Sequence, residues 1–181
     1  MKKLVTFLLP LLLASAVSFA QRPPKPQPPR DSLPYQKYPT LPAFNLLLQD
    51  SATIFNTYNI PQGKPIVLVF FSPDCDHCQQ FTKALTGKMD SLKNVQFYLF
   101  TPLSLALLRP FAKELNLDAY KNITVGKDYE YFFPLFYGTS YVPYVAVYDQ
   151  KKMFVKMWEG KVKIEDLMQQ LQELLNKPAG K

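Results

Sequence analysis

The chain has 181 residues, with 21 Lys+Arg against 14 Asp+Glu and a formal net charge of +7. An apolar fraction of 48% and an aromatic fraction of 14% supply the core of one compact domain and exclude disorder throughout. The basic excess is scattered, and no basic stripe interleaved with aromatics marks a nucleic-acid binder.

Lys2 and Lys3 precede an apolar run over residues 4–13, broken only by Thr6 and Pro10. Ser18-Phe19-Ala20 then sets small residues three and one before Gln21, the layout of a cleaved secretory signal peptide over 1–20. This stretch is short of the ~20 residues a spanning helix needs, so no stable membrane span is expected after cleavage. Residues 21–42 hold eight prolines, which predicts an extended spacer that contributes no core. The folded domain is expected over 43–181.

Within that domain the pattern predicts a short strand over 43–48 and a further short piece over 53–58. Residues 66–71, Ile-Val-Leu-Val-Phe-Phe, are apolar without alternation, as in a strand buried on both faces. Asp74 is the expected N-cap of the next helix, whose apolar face is Cys78, Phe81, Leu85, Met89 and Leu92. A second buried strand follows over 95–100, then a helix over 103–117 containing Pro110. Residues 118–140 are aromatic-rich and irregular in pattern, with one short helix expected over 129–137. Strands over 144–148 and 153–159 enclose a turn, and residues 164–175 form a closing amphipathic helix. The order βαβα, irregular, ββα describes an α/β domain: a central mixed sheet with helices on its faces and an amino-terminal strand extension.

Chemistry concentrates at Cys75-Asp76-His77-Cys78, where the buried strand hands over to a helix. A helix amino-terminus presents unpaired N–H groups and partial positive charge, which favours a thiolate at Cys75. Cys78 lies in the same turn, within disulfide reach. A protonated His77 adds to the pull on the thiolate, and Asp76 opposes it. The chain holds two cysteines and one histidine, too few for a closed Cys/His zinc site within one monomer. A structural disulfide gains by closing a long loop, and a two-residue spacing closes almost none. A redox pair is the expected role.

The segment 67–78, Val-Leu-Val-Phe-Phe-Ser-Pro-Asp-Cys-Asp-His-Cys, together with Val142-Pro143 at the opening of a later strand, resembles the thioredoxin family. Export and the long segment between the two motifs resemble the TlpA/ResA-like envelope thioredoxins. The resemblance implies a thioredoxin fold in which Cys75 attacks a partner disulfide and Cys78 resolves the mixed disulfide. It also implies a cis Pro143, with Tyr141, Val142 and Phe71 forming a substrate groove. Three positions depart from the family: Val69 stands where a buried acid is usual, Asp74 where Trp is usual, and Lys83 where a helix proline is usual. His77 and Val142 resemble oxidising relatives, whereas the overall layout resembles reductases, and the layout tips the reading slightly to a reductase. The implied partners are thiols and disulfides of exported proteins plus an upstream redox partner, in the periplasm or outside the cell, with no cofactor and no metal. The alternative is a Cu(I) carrier using the same two thiolates.

Overall fold

The structure, a computed structural model, describes residues 33–176. The expected signal peptide and residues 21–32 of the expected spacer lie outside the described residues. The helices and strands in chain order are α1 (Pro34–Lys37), β1 (Asn45–Leu48), β2 (Ile54–Asn56), β3 (Ile66–Phe70), α2 (Asp76–Thr86), β4 (Gln96–Thr101), α3 (Leu105–Glu114), β5 (Ile123–Lys127), α4 (Phe132–Tyr137), β6 (Tyr144–Tyr148), β7 (Phe154–Glu159) and α5 (Ile164–Asn176). The strands form one mixed sheet in the order β2-β1-β5-β4-β3-β6-β7. Strands β3, β4 and β5 run parallel, and β6 lies antiparallel to β3.

All five residues of β3 are buried, because the central strand carries helices on both faces. Strand alternation divides its side chains between two cores. Val67, Val69 and Phe71 join Cys78, Phe81, Leu85, Leu108, Phe111, Leu167 and Leu171 under α2, α3 and α5. Ile66, Leu68 and Phe70 join Tyr35, Phe44, Phe133, Tyr137, Tyr144 and Tyr148 on the opposite face, beneath α1 and α4. Both βαβ crossovers move the same way along the sheet, β3 to β4 and β4 to β5, so right-handed connections bring α2 and α3 to one face.

Several expectations are corrected. The segment expected to be a coreless spacer contributes two core residues where it is described: Leu33 and Tyr35 are buried, while residues 36–40 are exposed. Tyr35 lies against Tyr137 and Phe154, with ring centroids 5.5 and 5.1 Å apart. This strap also pairs with the start of β7, through a Thr40–Met153 bridge and the bonds Phe154 N to Pro39 O and Leu41 N to Lys152 O. Residues 118–140 are not irregular throughout. They contain the parallel strand β5 and the helix α4, the latter close to the short helix expected. The helix expected over 103–117 ends at Glu114, where Asn116 takes a left-handed conformation before a 3₁₀ turn, Leu117–Ala119. The cysteine-bearing helix stops at Thr86, ahead of Gly87, and Met89 and Leu92 stay buried on a separate 3₁₀ turn. Phe71 is a core residue stacked on Phe111 at 4.5 Å, so it does not line a groove.

Candidate active site

The two cysteines sit where parallel β3 ends and α2 begins, the usual place for chemistry in an open α/β sheet. The expected cap, Asp74, is not the one observed: Cys75 is the N-cap, and its sulfur accepts from Cys78 N at 3.4 Å. The Asp74 carboxylate instead accepts a short hydrogen bond from the Ser72 hydroxyl. Gln79 Nε2 donates to Pro73 O at 2.8 Å and ties the approach loop to the helix. A sulfur at the N-cap faces the orphan amides of the first turn, where negative charge on it is favoured.

The thiols are unequal. Cys75 is half-buried and Cys78 fully buried. Burial pushes the Cys78 thiol far above the ordinary cysteine range. Its hydrogen bond with Cys75 and the charges of Cys75 and Asp74 add to that, and a backbone hydrogen bond with Ser72 opposes it. The inner sulfur therefore holds its proton while the outer one is accessible.

The loop before β6 closes the site from the side. The Val142–Pro143 peptide bond is cis, and Val142 O lies 3.9 Å from Cys75 Sγ. Cys75, Val142 and Pro143, expected to act together, thus lie together across a gap of 67 residues. Tyr141 is 70% exposed. His77 projects from the exposed side of α2 and lines a groove of about 290 Å³ with Phe81, Val162 and the lysines 161 and 163.

Sequence reasoning missed Glu159. Its Oε1 accepts from Tyr141 N at 2.7 Å and, through a shorter bond, from Ser140 N. Nothing in the local sequence points to it; only the β6–β7 register, which sets Tyr144 opposite Glu159, carries the carboxylate back over the loop. A second acid missed is buried Asp128 at the end of β5, whose two oxygens accept from Phe132 N and Phe133 N. Among the described residues no group of three or more His, Cys, Asp or Glu could hold a metal ion.

Comparison with known proteins agrees with this geometry. A family model for a thioredoxin-like domain matches residues 58–175, more than half of the chain. No curated protein matches. A secreted disulfide oxidoreductase of Mycobacterium tuberculosis, homologous to E. coli DsbE, is 20% identical with a TM-score of 0.61, over 72% of this chain and 96% of that one. MTB dsbF, solved in mixed oxidised and reduced forms, is 21% identical with a TM-score of 0.62, covering 72% and 94%. The exposed lipoprotein thioredoxin Etrx1 of Streptococcus pneumoniae is 22% identical with a TM-score of 0.58, covering 74% and 100%. At these identities the likeness is one of fold. With the match over residues 58–175, the chain belongs to the thioredoxin-like domain family.

Proposed function

We propose that the protein is a thiol–disulfide oxidoreductase acting on exported proteins, with Cys75 as nucleophile and Cys78 as resolving thiol. The observation that carries this reading is the asymmetric pair: an accessible sulfur at a helix N-cap, with a buried thiol one turn inside. The Cys75 thiolate attacks one sulfur of a partner disulfide, forms a mixed disulfide and releases the partner's other sulfur as a thiolate. Cys78 gives up its proton and attacks Cys75 Sγ. The Cys75–Cys78 disulfide forms and the second partner thiol leaves, so the partner gains two electrons and the pair loses two. An upstream dithiol partner then restores the reduced pair. Val142, Pro143 and Tyr141 receive the partner's chain beside the sulfur, and His77 adds positive charge at the helix start when protonated.

Reduction is the favoured direction. The extended amino-terminal part and the long segment between Cys78 and Val142 support it, because they give the layout that resembles envelope reductases. Export to the periplasm or beyond is supported by the pattern of residues 1–20, and similar folds include a secreted and an exposed protein. No helix among the described residues is long and apolar enough to cross a membrane. A Cu(I) carrier would have to complete its site with a second molecule or use the two thiols alone.

The deciding measurement is the reduction potential of the Cys75–Cys78 couple, with insulin reduction followed alongside. A value near about −270 mV is expected of an electron donor, and one near about −120 mV would reverse the direction. Cys75→Ser should abolish turnover, and Cys78→Ser should trap the mixed disulfide. A pair that resists reduction across that whole range overturns the reading.

A further inference from the structure

We propose that Glu159 is a positioning residue for disulfide exchange, holding residues 140–143 where an incoming partner chain meets Cys75. The role rests on the exchange reading above. Glu159 is the last residue of β7, and its Oε1 takes the amides of Ser140 and Tyr141 together. The next residue, Gly160, donates its N–H to Pro143 O at 2.9 Å. Residues 159 and 160 thus hold the loop at 140, 141 and 143. Val142 is suspended between these anchors, with its carbonyl facing the Cys75 sulfur.

The loop needs such a hold. It leaves α4 through Gly138, in a left-handed conformation at φ 64°, and strand β6 begins at Tyr144. Without an acceptor the two amides would turn to water and the loop would settle elsewhere. One side-chain oxygen accepts from both amides, so one side chain suffices. An extended partner segment adds to exposed backbone through main-chain bonds, and Val142 offers that backbone next to the nucleophile. The clamp also fixes the backbone from which the exposed Tyr141 ring projects. In this arrangement the carboxylate works through the loop.

The test compares wild type with Glu159→Ala, Glu159→Asp and Glu159→Gln. The substrate is a short peptide carrying a glutathionylated cysteine, and kcat and KM are read separately. In parallel, alkylation of reduced Cys75 by iodoacetamide reads the sulfur without a peptide partner. The Ala and Asp variants should raise KM by about tenfold and change kcat by less than about threefold, while Gln, which keeps the acceptor and its reach, stays within about threefold of wild type. Alkylation should be unchanged in all three. If the Ala variant does not fold, the contrast between Asp and Gln decides alone. Gln as impaired as Asp would overturn the clamp in favour of a charge effect. Alkylation falling in step with turnover, or KM unmoved in both Ala and Asp, would overturn it as well. A wild type that exchanges nothing overturns the proposed function and this role together, whereas an active wild type with unaffected variants overturns the role alone.

Discussion

At the scale of single residues, the sulfur of Cys75 is both the proposed nucleophile and the acceptor that starts α2. A hydroxyl caps a helix well and a methyl not at all, so the two usual inactivating substitutions should separate in stability. Cys75→Ser is expected to match or exceed the reduced wild type, and Cys75→Ala to lose about 1 kcal/mol, as read by urea denaturation. Away from the site, Asp50 closes the β1–β2 turn. The Thr53 hydroxyl, with the amides of Thr53 and Ala52, holds its carboxyl down to about 2 from an ordinary 3.8, and Arg109 contributes least. A carboxyl lowered by folding stabilises above its unfolded value and loses that contribution as pH falls through its folded one. The Ala52 and Thr53 amide chemical shifts should therefore move only as pH drops from about 4 towards 2, as those hydrogen bonds lose their carboxylate acceptor. An NMR titration of Asp50→Asn, flat over the same window, checks the assignment. Asp128 contributes differently: its carboxylate caps α4 from outside the helix, and Asp128→Ala should cost about 1–2 kcal/mol on denaturation by leaving two amides at the helix start without their acceptor.

At the scale of elements, what the sequence disclosed depended on whether an element announced itself locally. Strand β3 did, because six consecutive apolar residues admit little else, and α2 did through its three-and-four spacing. The pairing of Cys75 with Val142 was legible only through resemblance, since nothing local links positions 67 residues apart. Strand β5 stayed hidden: Ile-Thr-Val-Gly-Lys is short, and its Gly126 reads as a turn. In the fold that glycine is where β1 comes close, since a Cβ there would stand 3.1 Å from Leu46 Cβ and 3.2 Å from Leu47 O. The strap was hidden for the opposite reason. Its prolines signal exposure, while Leu33 and Tyr35 bury on partners over a hundred residues away. Gly138 marks that contact. A side chain there would meet Leu33 at 2.7 Å and be held at an unfavourable positive φ. Gly138→Ala should cost about 1–3 kcal/mol. Adding Leu33→Ala should relieve the steric part and leave the backbone part, a coupling that a double-mutant cycle of unfolding energies measures.

At the scale of the whole molecule, the sheet separates two interiors of different kinds. The α2–α3–α5 side is mainly aliphatic and holds the buried thiol. The α1–α4 side is a run of touching rings, Phe70, Phe100, Phe133, Tyr137 and Tyr144, extended by Tyr35 and Phe154. The strap belongs to the second interior, and it also pairs with the outer border at the start of β7 through Pro39, Thr40 and Leu41. A sheet border with vacant amides and carbonyls is a template on which another chain can add. A protein lacking residues 33–42 would therefore lose more than stability. It would bare the rings of Tyr137 and Phe154 beside a newly open strand start, and its characteristic failure would be oligomerisation growing with concentration, visible by light scattering well before the domain melts.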